Sequence, residues 1–113
     1  MERTGRLYGC PVELTLDLLG GKWKTVILAR LKQAPLRYAE IRRAVPGLAD
    51  KVLTQRLRDL EEAGFIERSK QARGEVRYRL TATGRSLGPA LEAMYQWGVN
   101  AAPRLRARFR PLR

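Results

Sequence analysis

Apolar residues recur at helical spacing near the start of the chain. A first helix is predicted from Pro11 to the Gly20-Gly21 pair, because proline at the first helical position sacrifices no hydrogen bond and paired glycines end a helix. Its apolar residues, Val12, Leu14, Leu16, Leu18 and Leu19, occupy more than one face. In so small a domain, such a helix needs two apolar neighbours. We infer that one is the core of the same chain and the other is a second subunit.

Three more helices are predicted before Gly64. The spacing predicts a second helix over 22–32, a third over 38–45 that ends at Pro46-Gly47, and a fourth over 50–63 that Gly64 closes. Their inner stripes comprise Trp23, Val26, Ile27, Leu31, Tyr38, Ile41, Val45, Leu53, Leu57 and Leu60. Trp23 and Tyr38 could stack on bases, but their place on these stripes favours core packing.

The fourth helix has a polar outer face formed by Lys51, Thr54, Gln55 and Arg58. Such side chains can reach phosphates and base edges of DNA. On periodicity alone, a merely solvated helix face is an equally good interpretation.

Beyond Gly64 the hydrophobic period shifts to two. Strands are predicted at 65–68 and 76–80, with a polar loop over 70–74 between them, so the unit is a β-hairpin with a basic tip. Its basic residues include Lys70, Arg73, Arg77 and Arg79.

A last helix follows, capped by Thr81 and bent at Gly88-Pro89, with an apolar stripe that includes Leu87, Leu91, Met94 and Tyr95. We expect residues 1–9 to be a flexible segment, 10–102 to be the folded domain with its dimerisation helices, and 103–113 to be a mobile basic tail. The fold class is therefore mostly α with a small β-hairpin (α+β), in the order of a winged helix-turn-helix.

The charge balance points to a partner. The 113 residues, enough for one domain, contain 23 Lys and Arg against 11 Asp and Glu, a net charge of +12 that suits double-stranded DNA or another nucleic acid. A membrane surface is disfavoured, because the arginines are spread along the chain and no segment approaches the roughly 20 apolar residues of a span. Without a signal-peptide pattern, we expect a cytoplasmic protein.

Two residue counts restrict the chemistry. The absence of histidine excludes a Ser-His triad and the commonest metal ligand, and the single Cys10 excludes an intrachain disulfide or a Cys-rich zinc site. We therefore expect no enzymatic activity, no metal and no cofactor. Cys10 itself precedes a helix, where the dipole favours a reactive thiolate, but a small buried residue near a dimer seam fits equally well.

Six motifs follow one another along the chain. They are Cys10-Pro11-Val12-Glu13, Leu19-Gly20-Gly21-Lys22-Trp23-Lys24, Leu36-Arg37-Tyr38-Ala39-Glu40-Ile41-Arg42-Arg43, Val45-Pro46-Gly47-Leu48, Lys51-Val52-Leu53-Thr54-Gln55-Arg56-Leu57-Arg58-Asp59-Leu60-Glu61 and Tyr78-Arg79-Leu80-Thr81-Ala82-Thr83-Gly84. Taken together, they resemble the HxlR-type family of helix-turn-helix regulators over about residues 10 to 98. Ala49 stands where the family often has serine, so we expect Asp50 to cap the fourth helix.

The resemblance implies a homodimer joined through its first and last helices, which would place Leu14, Leu18, Leu91 and Tyr95 at the interface. It also implies a recognition helix in the major groove and a wing on the adjacent DNA. We expect Thr54, Gln55 and Arg58 to approach bases, while Lys51 and the hairpin cations Lys70, Arg73, Arg77 and Arg79 hold phosphates.

The predicted function is thus a sequence-specific regulator of transcription that acts as a homodimer. A small molecule or an oxidant is a candidate signal. A response to oxidants or electrophiles through Cys10 is one hypothesis, and a Cys10 that only packs near the dimer seam is the other. Some relatives sense oxidants or electrophiles at this position. A sequence-tolerant architectural DNA-binding or RNA-binding protein is the alternative, since charge alone would suffice for it.

Overall fold

A computed structural model describes residues 5–109. Within this range the chain forms six helices and one antiparallel hairpin. In chain order they are α1 (Pro11–Leu19), α2 (Lys24–Gln33), α3 (Tyr38–Ala44), α4 (Asp50–Glu62), β1 (Ile66–Lys70), β2 (Val76–Leu80), α5 (Ala82–Ser86) and α6 (Gly88–Leu105). The predicted fold class, helical with a small hairpin, is confirmed. None of the described helices is long and apolar enough to cross a membrane.

The core lies between α2, α3 and α4. Leu53, Leu57 and Leu60 are buried on one side of α4, as their spacing predicts. They belong to one apolar cluster with Ile27 and Ile41 from the two preceding helices. Each fully buried leucine or isoleucine contributes about 1.5 to 3 kcal/mol, so this cluster fixes α3 and α4 against α2.

The link from α3 to α4 corrects one expectation. Asp50 does not cap α4: the cap position is Ala49, which is extended and makes no side-chain hydrogen bond, and Asp50 is the first helical residue. The Asp50 carboxylate is instead held by the Arg42 guanidinium at 2.9 Å and the Tyr38 hydroxyl at 3.1 Å. These partners on α3 draw the carboxylate away from the backbone N–H groups of its own helix.

The hairpin pairs Ile66 with Leu80 and Lys70 with Val76. Its first strand therefore begins one residue later and ends two residues later than predicted. The backbones of Leu36 and Tyr78 exchange two hydrogen bonds of 3.0 and 2.7 Å, so the segment before α3 pairs with β2. The hairpin is thus bonded directly to the helical core.

Four charged side chains strengthen this link. Arg37, just before α3, lies 3.1 Å from the Glu75 carboxylate, and the Arg77 guanidinium lies 3.3 Å from Glu75 and 3.8 Å from Glu40. The Glu40 carboxylate also accepts the backbone N–H of Arg37 at 2.8 Å. Acidic and basic side chains therefore alternate between α3 and β2. Their ion pairs restrict movement of the hairpin relative to α3.

The C-terminal part differs from the expected single bent helix. Thr81 caps as predicted, accepting the Gly84 N–H at 3.0 Å, but α5 ends at Ser86 and α6 begins at Gly88. A proline in the first turn lacks the donor that would continue the preceding helix. In addition, α6 runs on through Pro103 to Leu105, so the first three residues of the predicted tail are helical. The rest of that tail from Arg110 on, and the first four residues of the predicted N-terminal segment, lie outside the described residues.

Gly84 lies against the hairpin with no room for a side chain. A Cβ atom there would overlap the backbone carbonyl of Phe65, whereas one at Gly88 would meet nothing within 4 Å. Gly84→Ala should therefore lower the free energy of unfolding by about 1 to 3 kcal/mol, although alanine normally favours a helix over glycine. Urea denaturation would measure this. Gly88→Ala is the matched control and should be neutral or slightly stabilising; equal effects of both changes would contradict the prediction.

The ionisation of Glu40 makes the free energy of unfolding depend on pH. The Arg37 backbone N–H, and then the Arg37 side chain, lower the pKa of Glu40 below its ordinary 4.5. A carboxylate with a lower pKa in the folded state stabilises above its unfolded pKa, and this contribution is lost as the pH falls through the folded pKa. As the pH falls from about 5 to 3, the range in which ordinary carboxyl groups become protonated, the free energy of unfolding of Glu40→Gln should decrease less steeply than that of the wild type.

Urea titrations at several pH values would measure the two slopes. Glu62→Gln makes the same change of charge at the exposed end of α4 and serves as the control. Equal slopes for the wild type and Glu40→Gln would refute a role of Glu40 in acid stability.

Candidate nucleic-acid interface

The outer side of α4 carries the four residues predicted to contact DNA. Lys51, Thr54, Gln55 and Arg58 are all exposed, on the side opposite the buried leucines. We call these four residues the recognition face. The structure brings them together on one helix surface, and their contact with DNA stays a prediction.

The members of the recognition face differ in how they are held. Within residues 5–109, neither Lys51 nor Arg58 forms an ion pair, so both cations are available to a ligand. Gln55 donates from its amide nitrogen to the Asp59 carboxylate at 2.9 Å. Burial alone would raise the pKa of Asp59, but hydrogen bonds from Gln55 and Arg56 outweigh it and the pKa is lowered. Gln55 is therefore held by a carboxylate that stays ionised.

The hairpin, which we call the wing, presents its cations unequally. Lys70 and Arg73 are exposed, and in the described part of the chain they form no ion pair. Arg79 is bound to Glu67 at 2.8 Å, and Arg77 is half-buried between Glu40 and Glu75. Phosphate contact through Arg77 or Arg79 would have to compete with these carboxylates, whereas Lys70 and Arg73 can meet phosphate directly.

Sequence reasoning missed three residues beside the recognition face. The Tyr38 ring packs against the core, as expected, but its hydroxyl lies 3.3 Å from the Thr54 hydroxyl and 3.1 Å from the Asp50 carboxylate. Arg42 reaches the same carboxylate. Assigning Tyr38 to the apolar stripe treats its whole side chain as internal. Only the polar hydroxyl at the end of the ring could have indicated a second contact outside the core.

Helices α1 and α6 expose large apolar side chains to solvent. Leu14 is 39% and Tyr95 63% exposed, while Leu18 and Leu91 pack partly against their own core. Further exposed apolar residues on the same helices include Val12, Leu16, Met94 and Trp97. A groove of about 490 Å³ between α2 and α6 is lined by Val26, Ala29, Leu91, Met94 and Tyr95, among others. The predicted dimer residues thus border a larger apolar area, in which the sequence analysis missed Trp97 because it lies off the stripe.

Cys10 is exposed and lies immediately before α1. Its backbone carbonyl accepts the Glu13 N–H at 3.0 Å, and the Glu13 carboxylate accepts the Gly9 N–H at 2.8 Å. The first turn of α1 therefore already contains one acidic side chain. In the single chain Cys10 is open to solvent rather than packed into the core.

The chain matches the family model of the HxlR-like helix-turn-helix over residues 18–105. It is 42% identical over 99 residues to the uncharacterised HTH-type transcriptional regulator YdeP of Bacillus subtilis, covering 86% of this chain and 77% of that protein. It is 41% identical over 93 residues to an uncharacterised HTH-type transcriptional regulator of Methanothermobacter thermautotrophicus, covering 80% of this chain and 71% of that protein.

Solved structures agree with this match. The redox regulator HypR in its reduced form superimposes with a TM-score of 0.80 at 37% identity, covering 88% of this chain and 100% of that chain. Its oxidised form gives a TM-score of 0.73 at 40% identity, with coverages of 80% and 96%. With its helix pair, its wing and these relatives, the chain belongs to the HxlR-like helix-turn-helix family of transcriptional regulators.

Proposed function

We propose that this protein is a sequence-specific regulator that binds double-stranded DNA as a homodimer and has no catalytic activity. The observation that carries the proposal is the recognition face, which lies on the outside of a helix whose other side is packed into the core. Two of its polar side chains, Lys51 and Arg58, are cations that form no ion pair among residues 5–109. A helix in this position can enter the major groove without disturbing the packing behind it.

The remaining cations support the same arrangement. With α4 in the groove, Lys70 and Arg73 on the wing reach phosphates beside it, while Thr54, Gln55 and Arg58 approach base edges. The net charge of +12 draws the protein to DNA, inside the cell where DNA is found. Arg77 and Arg79 contribute to phosphate binding when each guanidinium exchanges its carboxylate partner for a phosphate.

The exposed apolar area on α1 and α6 supports the dimer. Large apolar side chains such as Tyr95 and Trp97 on α6, 63% and 67% exposed, are costly to leave in water. A second copy that covers them would bury Leu14, Leu18, Leu91 and Tyr95 at a two-fold interface. Two recognition helices then face half-sites about one helical turn apart.

The alternative is a sequence-tolerant architectural protein for DNA or RNA. Its support is the charge excess of 23 basic over 11 acidic residues, which alone provides affinity for phosphate backbones. A regulator has to prefer one DNA over others, whereas an architectural protein does not.

Selection of bound duplexes from a randomised pool would decide between these functions. For a dimeric regulator we expect a palindromic site, preferred over scrambled DNA by about a thousandfold or more. Arg58→Ala should weaken binding to that site by about 1 to 3 kcal/mol and relax its base preference, because a base contact is lost.

Arg104→Ala on α6 removes the same charge away from α4 and is the control. Equal losses on selected and scrambled DNA would reduce Arg58 to a phosphate contact. Flat preference, with affinity that collapses on added salt, would favour the architectural protein.

Regulation through Cys10 is the second part of the proposal. Its support is the exposed thiol before α1, next to the apolar area proposed as the dimer interface, and the similarity to HypR, which is described as a redox regulator. Two Cys10 thiols from different chains would form one disulfide and pass two electrons and two protons to an oxidant such as diamide. Modification at this position would shift α1 against the partner and change DNA affinity.

Cys10→Ser should abolish the response to oxidant. Treatment of the wild type with diamide should give a thiol-reversible dimer on a non-reducing gel and a changed affinity for the selected site, since the chain has no other cysteine. The serine variant should bind DNA with unchanged affinity before and after treatment. An identical response of the two proteins would end the redox hypothesis and leave the DNA-binding function untouched.

A further inference from the structure

We propose that Asp50 is a specificity-determining residue that accepts a hydrogen bond from the exocyclic amino group of a cytosine in the major groove. Tyr38 and Arg42 act as positioning residues that hold its carboxylate. The inference rests on the proposed function, and it adds a negatively charged residue to a surface that otherwise binds DNA through its cations.

The three side chains form one cluster at the start of α4. The Arg42 Nε lies 2.9 Å from Asp50 Oδ1, and the Tyr38 hydroxyl lies 3.1 Å from the same oxygen. Asp50 and Arg42 remain 57% and 58% exposed, so the cluster is open to a ligand. The Tyr38 ring is anchored in the core, which fixes the position of its hydroxyl.

The number of available protons determines the direction of the hydrogen bonds in this cluster. The Tyr38 hydroxyl lies within reach of two Asp50 acceptors, the carboxylate at 3.1 Å and the backbone carbonyl at 3.2 Å. Because a phenol has one proton, we assign it to the carboxylate, which is charged and therefore the stronger acceptor. The contact of 3.3 Å between Tyr38 and Thr54 is then donated by the Thr54 hydroxyl. Tyr38 thereby couples Asp50 to a member of the recognition face, one helical turn further along the same side of α4.

One oxygen of Asp50 remains for a ligand. The shortest contacts of Arg42 and Tyr38 are both with Oδ1, and no hydrogen bond among residues 5–109 uses Oδ2. An ionised carboxylate only accepts, so its partner on DNA has to be a donor. Phosphate oxygens are anionic acceptors and are repelled, which leaves the amino groups of the bases.

Between those amino groups, the carboxylate favours cytosine. Cytosine presents its N4 amino donor in the major groove, whereas adenine presents its N6 donor next to the N7 acceptor, which repels a carboxylate oxygen. An amide, with a donor and an acceptor side by side, fits adenine instead. Arg42 neutralises the carboxylate and so reduces its repulsion by the phosphates on either side of the groove.

The difference between an aspartate and an asparagine at position 50 gives the test. Duplexes are selected in parallel with the wild type, Asp50→Asn, Tyr38→Phe and the control Glu62→Gln, which removes one negative charge from the far end of the same helix. We expect the wild type and Glu62→Gln to share one site. Asp50→Asn should change a single position of each half-site from cytosine to adenine, with a loss of about tenfold on the original site.

Tyr38→Phe retains the buried ring and removes only the hydroxyl, so it tests the cluster in a protein with an intact core. It should keep affinity for scrambled DNA and lose part of the discrimination at the same position, by about threefold, as expected of a neutral hydrogen bond. Circular dichroism and thermal melting would confirm that each variant folds.

Two outcomes overturn the inference, and they are distinguishable. A wild type that selects a clear site, together with Asp50→Asn and Tyr38→Phe variants that select the same bases, would make Asp50 only a charge that stabilises the start of α4. A wild type without sequence preference would refute the proposed regulator together with this inference.

Discussion

The structure depends on the burial of one side of α4. Leu53, Leu57 and Leu60 insert into the apolar cluster that also contains Ile27 and Ile41, and this packing leaves the helix a single orientation. Because side chains three and four residues apart share a face, burying the leucines forces Lys51, Thr54, Gln55 and Arg58 outward. The recognition face is therefore a direct consequence of the core, and a mutation that loosens the core would also disturb the positions of the side chains proposed to contact DNA.

The wing depends on the core through a different interaction. Backbone hydrogen bonds between Leu36 and Tyr78 join β2 to the segment that begins α3. The ion pairs of Arg37 and Arg77 with Glu40 and Glu75 lie beside this bridge. The start of the helix-turn-helix and the base of the wing are thus one unit, which ties the hairpin that carries Lys70 and Arg73 to α3. The acidic side chains reduce the positive charge of the surface proposed to face DNA, but they hold the hairpin against α3.

The proposed regulator has two unsatisfied surfaces. On the polar surface, Lys51, Arg58, Lys70 and Arg73 form no ion pair among residues 5–109 and would suit an anionic partner, whereas the exposed apolar side chains of α1 and α6 would suit an apolar one. In the proposed function, DNA and a second copy of the chain meet these requirements in turn. Cys10 lies immediately before α1, so a chemical change there would act on one of the helices proposed to form the dimer.

The sequence by itself determined the order of elements, the buried stripes and the polar face of α4, because helical and strand periods and the glycine and proline punctuation are local properties. The resemblance to a family was also readable from its motifs. Neither local signal could determine which charges meet across elements. That Arg77 is paired with Glu40 and Glu75, that Asp50 turns to Arg42 and Tyr38 instead of capping its helix, and that the Tyr38 hydroxyl reaches Thr54 all follow from α3, α4 and β2 coming together. Such contacts join residues up to 38 positions apart, as between Arg37 and Glu75, and only the tertiary packing brings them within hydrogen-bond or ion-pair distance.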